Sequence, residues 1–217
     1  MVAIAPRSAF FFQCLQGHGL QHATGICQGF LQALAKRTGP VDLTGMGRSF
    51  HWMDGQRTLH DLYGMTVPGG GVALLADSSF TDTREVMAML SPDGAAVPEP
   101  APWRLLIREV GRKWLGEERK AGTSGTFSHA KRHHAEVLRD SEFAGMEVIH
   151  LACRRTWNVE QILGYLYSTS STSLPVLGEK KDAFEADIRE CLLAAEPSGV
   201  FTEDVSVQII LAWKPAS

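Results

Sequence analysis

Two short apolar runs predict parallel strands of a buried sheet. Val41–Met46 ends in Gly47, and Val72–Ala76 is apolar throughout. Between them, apolar residues recur at helical spacing after Asp54, a residue type that favours the first position of a helix. The run Pro68–Gly71 is expected to end that helix in a turn. Such a strand-helix-strand unit belongs to an open α/β sheet, in which ligands bind beyond the carboxyl ends of the strands.

The remainder of the chain predicts helices and two further strands. Amphipathic spacing and capping residues predict four helices: Trp103–Leu115, Ser128 to Arg139, Asn158 to Tyr167, and Lys181–Ala195. Phe143–Arg155 is expected to be a strand, and strict alternation predicts another over Val205–Trp213. Because more than one helix separates these late strands, the last one is expected to return antiparallel at an edge of a mixed sheet.

The first 40 residues differ in composition from the rest. They are rich in Gly, Gln and His, and Gln28–Lys36 is their predicted helix. Gly17-His18-Gly19 comes nearest to a phosphate-cradling glycine loop, yet no convincing strand is predicted before it. We therefore divide the chain into an atypical segment, 1–40, and an α/β domain, 41–217.

Composition excludes several classes of function. The 217 residues are 44% hydrophobic, enough for a core of normal size, and the net charge of −3 gives no general attraction to nucleic acid or to acidic membranes. No apolar stretch reaches the roughly 20 residues of a membrane span, and no signal peptide is evident. Four cysteines without paired spacing indicate reduced thiols and a cytoplasmic setting.

Two motifs resemble one known family. GMGRSFHWMD, followed by a helix and then VPGGGVALL, is similar to the middle of class I S-adenosylmethionine-dependent methyltransferases that act on small molecules. The resemblance covers roughly residues 40–214. It implies a partial Rossmann-like α/β fold: a mixed sheet with flanking helices and an antiparallel C-terminal edge. It also implies S-adenosylmethionine as the cofactor and a small-molecule methyl acceptor as the partner.

The resemblance places candidate site residues in the loop after the first strand. His51 would be the catalytic base, and Arg48 and Trp52 would bind the acceptor, Arg48 through a carboxylate. Met46 and Gly47 would offer backbone to the cofactor. The alternative is structural: His51 and Trp52 pack the loop onto the next helix, and Arg48 is a solvated loop arginine.

One expected part of the family pattern is missing. The glycine-rich cofactor loop, and an acidic residue after the second strand, should precede the Ser-Phe-His-Trp motif by many more residues than the 47 before Arg48. The chain is therefore expected to be a truncated methyltransferase, with an exposed apolar sheet edge open to self-association. The alternative is a non-catalytic, incomplete methyltransferase-like domain that binds no cofactor.

The sequence contains two clusters of histidines, one between Cys14 and Cys27 and one between His129 and His134. Cys14, His18, His22 and Cys27 have zinc-binding chemistry, but the spacing lacks the paired knuckles of structural zinc sites. A zinc-stabilised binding module built on these residues is a remote third alternative, and no metal is expected. The second cluster, His129, His133 and His134, is expected to lie on a solvated helix face.

Overall fold

The computed structural model describes residues 9–13, 39–47, 49–77, 98–117 and 132–216. Its strands within these ranges are β1 (Ala9–Gln13), β2 (Val41–Gly47), β3 (Thr66–Asp77), β4 (Ala144–Asn158) and β5 (Val200–Trp213). Its α-helices are α1 (Gly55–Met65), α2 (Pro102–Leu115), α3 (His134–Arg139), α4 (Val159–Tyr167), α5 (Leu174–Leu177) and α6 (Lys181–Ala195). Two 3₁₀ turns, Phe50–Trp52 and Gly178–Lys180, complete the elements.

The strands form one mixed sheet in the order β1-β2-β3-β5-β4. β1, β2 and β3 are parallel, and β5 runs antiparallel to both β3 and β4. The predicted parallel pairing of Val41–Gly47 with Val72–Ala76 is confirmed. The mixed α/β sheet with an antiparallel C-terminal edge is confirmed as well, since the β4–β5 pair forms it.

The edge beside β2 is occupied. β1 pairs with it over its full length, from Ala9 opposite Leu43 to Gln13 opposite Gly47. The expected exposed edge next to Val41–Gly47 is therefore wrong. The sequence did not reveal this strand because Ala9–Gln13 is short and shows no period-2 alternation. The predicted helix Gln28–Lys36 lies outside the described residues, and the domain boundary at residue 40 stays a prediction.

The glycine-rich segment is part of a strand, not a turn that ends a helix. α1 already ends at Met65, and β3 runs through Pro68–Gly71 with a register shift against β2. The glycines permit close approach: a Cβ on Gly70 would lie 2.5 Å from the carbonyl oxygen of Asp42. Gly69 and Gly70 also pair with the backbone of Lys214, at 2.9 and 2.7 Å. The sequence predicts a turn for these glycines, which is their more frequent position, whereas the structure has them in a strand.

Most predicted helices are confirmed in position. The helix after Asp54, the helices Trp103–Leu115 and Lys181–Ala195, and the capping box of Asn158 with Gln161 are all present. The helix expected from Ser128 is shorter, beginning only at His134, and Ser128 lies outside the described residues. Both late strands exceed their predicted lengths.

The helices pack in two groups and give two apolar cores. One core lies between the sheet and α1 with α3; its buried members are Met46, Phe50, Leu59, Leu62, Val72, Leu74, Ala135, Leu138, Phe143, Ile210 and Ala212. The other lies among α2, α4, α5 and α6 beside the start of β5; its buried members are Trp103, Ile107, Val159, Ile162, Leu163, Leu166, Leu177, Phe184, Ile188, Leu192 and Phe201. The antiparallel part of the sheet therefore supports a helical layer of its own.

Candidate functional site

The parallel strands end at one edge of the sheet. Gln13, Gly47 and Asp77 are the last residues of β1, β2 and β3, and Gln13 lies opposite Gly47 in register. β4 and β5 extend past this edge, because Asp77 pairs with Val207 while β5 begins at Val200. In open α/β sheets this carboxyl edge is where ligands bind. It is therefore the candidate site.

β2 ends in a buried methionine, Met46, followed by a glycine, Gly47. Met46 is 1% exposed and belongs to the core beneath the sheet, so its side chain faces away from any ligand. Gly47 is half-buried, and a Cβ placed there would meet no atom of the described residues within 4 Å. The backbone at Gly47 is thus accessible to a close-approaching group.

The following loop is fixed by buried residues. Ser49 and Phe50 are buried, and the 3₁₀ turn Phe50–Trp52 leads to Asp54, whose carboxylate accepts a hydrogen bond from the Arg57 amide at 3.2 Å. His51 sits half-buried in this turn. Trp52 contributes its backbone to the turn, and Arg48 lies outside the described residues. The catalytic role of His51 and the binding roles of Arg48 and Trp52 therefore stay predictions.

Three histidines from two elements meet beside this loop. The His51 ring stacks on His134 with centroids 6.5 Å apart, and Phe50 meets the same His134 ring edge-on at 5.1 Å. His133 caps α3, its Nδ1 accepting from the Ala135 amide at 3.0 Å. The expectation of a solvated face is thus wrong for His133 and His134, which are half-buried. His129 lies outside the described residues.

Burial sets the charge state of His134. Desolvation by burial, together with the smaller effect of the neighbouring His133, lowers the pKa of His134 to about 4. His134 is therefore neutral at neutral pH, so the ring stacked on His51 adds no positive charge there. Sequence reasoning missed this contact because residues 51 and 134 are far apart in the chain and no local pattern joins them.

Charged groups follow the extension of β4 and β5 beyond the edge. Asp77, at the end of β3, accepts a hydrogen bond from Arg155 of β4 at 3.1 Å. Glu203 of β5 lies directly opposite Arg155 in the β4–β5 register. It is 4% exposed and forms an ion pair with Arg104 of α2. Trp157 donates its indole N–H to the same carboxylate at 2.7 Å. These groups bind the helical layer to the candidate edge.

This charged cluster had only a weak signal in the sequence. Asp77 directly follows a buried strand, and Glu203 interrupts an otherwise apolar alternation in β5. A carboxylate at a buried alternating position needs a partner. Its partners, Arg104 and Trp157, come from other elements and could not be identified from spacing.

The side chains near the candidate edge differ in how well they suit a metal ion and a cofactor. In the described ranges, no group of three or more His, Cys, Asp or Glu residues is arranged to hold a metal ion. The role of Gly47 beside an adenosyl group stays a prediction. Residues 1–41 contain no Asp or Glu, so no carboxylate in that segment is assigned to a ribose. The zinc candidates from Cys14 to Cys27 lie outside the described residues.

Comparisons with known proteins reveal structural likenesses alone. No protein-family model matches the sequence, and no curated protein matches it. Among the described helices, none is long and apolar enough to cross a membrane.

Several solved structures are similar to the chain. A protein assigned as a type II methyltransferase from Anaeromyxobacter dehalogenans is 18% identical, with a TM-score of 0.45, over 82% of this chain and 66% of its own. A protein assigned as a methyltransferase from Bacillus halodurans is 14% identical, with a TM-score of 0.39, over 90% and 78%. Geranyl diphosphate C-methyltransferase from Streptomyces coelicolor is 16% identical, with a TM-score of 0.28, over 81% and 48%. All three of these solved structures are named as methyltransferases.

Proposed function

We propose that this chain is an S-adenosylmethionine-dependent methyltransferase acting on a small molecule. The arrangement of the sheet is the observation that supports this most directly. Three parallel strands end at one edge beside an antiparallel C-terminal pair, as the motifs of residues 46–76 imply. At the centre of that edge, a Cβ built on Gly47 meets no atom of the described residues within 4 Å.

The candidate residues have distinct roles in this proposal. S-adenosylmethionine supplies an activated methyl group when bound. Met46 and Gly47 offer backbone beside it, while Arg48 and Trp52 hold the acceptor. His51 accepts a proton from the acceptor, and the neutral ring of His134 stacks beside it. Methyl transfer to a nucleophilic acceptor needs mainly proximity and alignment.

The cellular setting belongs to the same proposal. Cys153 and Cys191 are both free thiols, as expected for a protein of the reducing cytoplasm. The net charge of −3 gives no reason to expect nucleic acid or an acidic membrane as partner.

The second candidate function is a non-catalytic, methyltransferase-like domain that binds no cofactor. The first 41 residues supply no carboxylate for a ribose, and β1 is the last strand on its side of the described sheet. A non-catalytic, methyltransferase-like domain without cofactor binding accounts for both observations. In that case the edge at Gly47 would be open without a function.

Calorimetric titration with S-adenosylhomocysteine distinguishes the two functions. We expect saturable binding with one site per chain and a rise in the unfolding temperature that grows with ligand concentration. Saturable binding would exclude the domain without cofactor. Absence of heat and of stabilisation at millimolar ligand, on a chain shown by circular dichroism to be folded, would reject the enzyme.

A further inference from the structure

We propose that the outer edge of β4 pairs antiparallel with β4 of a second copy of this chain, about a two-fold axis at Leu151. This surface lies at the opposite end of the sheet from β1. It is independent of the methyltransferase proposal.

The first observation is the length and exposure of the edge. β4 runs from Ala144 to Asn158 and is the outermost strand on its side of the described sheet. Its only strand partner there is β5. Leu151, near the middle, is 50% exposed. A long edge strand with an exposed apolar centre is a template for further pairing, which native proteins usually cover or interrupt.

The second observation is an apolar stripe beside that edge. Ile149 and Leu151 project to the face opposite the core of α1 and α3, and neither belongs to either core. On the neighbouring strand, Val207, Ile209 and Leu211 share this face and are only half-buried. The stripe is therefore continuous across two strands. Extending the sheet would bury more of it.

The third observation is that the edge is complementary to itself. A two-fold axis perpendicular to the sheet leaves each side chain on the same face of the extended sheet. Because every second residue of a strand lies on one face, the residues that pair across this axis have numbers that differ by an even number. With the axis at Leu151, the two leucines lie opposite each other. Glu147, which is exposed, then lies opposite Arg155 of the partner copy. Arg155 also bonds to Asp77 of its own chain at 3.1 Å, so its guanidinium would be shared between the two carboxylates, and the symmetry forms this arrangement twice.

Shifted registers are less favourable. An axis at His150 sets two histidines opposite each other and separates Glu147 from Arg155. An axis at Ala152 sets Arg155 opposite Ile149. The strand also limits the pairing: Gly145 has φ of +63° beside a register shift between Ala144 and Glu147, and α4 begins after Asn158. The regular part of the edge is therefore centred close to Leu151.

Analytical ultracentrifugation of the full chain over a concentration series tests this pairing. We expect a monomer–dimer equilibrium for the wild type. Leu151→Lys should weaken it at least about tenfold, because two charges would meet on the axis. Leu105→Lys is the matched control: Leu105 is also 50% exposed, but it lies on α2. It should leave the dimer unchanged.

A second variant keeps the test valid if Leu151→Lys fails to fold. Glu147→Arg should also weaken the dimer, with Glu179→Arg, an equal charge change in the turn Gly178–Lys180, as its control. A wild type that stays monomeric at about 100 μM protein, a concentration at which weak dimers form, would overturn the proposal. So would folded edge variants that dimerise like the wild type, or assembly beyond a dimer, since two-fold edge pairing is closed.

Discussion

Replacing Gly71 with alanine tests the account of the glycine-rich strand. Gly71 pairs with Trp213 across β3 and β5. A Cβ at this position would lie 2.6 Å from the carbonyl oxygen of Ala212 and 2.7 Å from Cε3 of the Trp213 ring. The ring can turn away, but the carbonyl is part of the strand pairing. Relief of the contact must therefore separate the two strands.

The expected cost follows from overpacking. Forcing an added methyl group into closely packed surroundings costs about 1–3 kcal/mol of unfolding free energy. We expect a loss in that range for Gly71→Ala, measured by urea unfolding with circular dichroism. The control is Gly64→Ala in α1, where a Cβ meets nothing within 4 Å. That exposed helical position should gain roughly 0.5–1 kcal/mol.

The comparison has a clear refuting result. If Gly71→Ala unfolds at the same urea concentration as the wild type with an unchanged slope, β3 and β5 do not approach as closely as described. The glycines would then have the role that the sequence first indicated, a turn outside the sheet. A gain for Gly64→Ala beside a loss for Gly71→Ala would confirm the strand.

Three further predictions concern the packing around the site. The pKa of His134 in the folded chain is about 4, below the ordinary value of 6.5, so the unfolded chain takes up this proton first. The free energy of unfolding should therefore fall by up to about 3 kcal/mol as the pH drops from about 6.5 to 4. In urea titrations at several pH values, His134→Phe, which keeps an aromatic ring, should remove this pH dependence, and an unchanged dependence would contradict the prediction. Glu203→Gln should cost about 3–5 kcal/mol because it leaves Arg104 buried without its ion pair; unfolding at the wild-type midpoint would show the pair to be dispensable. Asn158→Ala removes the capping box of α4 and should cost about 0.5–2 kcal/mol, whereas Ser198→Ala, outside any helix, should cost less.

Local signals in the sequence predicted the local structure well. Asp54 and the Asn158–Gln161 pair mark helix starts because capping needs only neighbouring residues. The alternation in Val205–Trp213 identified β5 for the same reason. Helix ends and strand lengths were less accurate: β5 begins at Val200, where pairing with β4 extends the strand beyond its apolar alternation.

The contacts that build the candidate site were not predictable from spacing. Gly47 and His51 were identified because they follow a predicted strand. The stacking of His51 on His134 and the ion pair of Arg104 with Glu203 join distant segments, and only the folded chain brings them together. β1 was missed because parallel pairing with β2 is likewise a long-range contact.

Titration of a Gly47→Leu variant tests the proposal that a cofactor binds over the carboxyl end of β2. In the part of the chain that the structure describes, no atom lies within 4 Å of a Cβ at Gly47, so the variant should unfold at the wild-type urea concentration. The added side chain would occupy the space that the adenosyl group needs. The account predicts saturable S-adenosylhomocysteine binding by the wild type in calorimetry and none by folded Gly47→Leu. Equal binding by both chains would contradict the site, and binding by neither would favour the domain without cofactor.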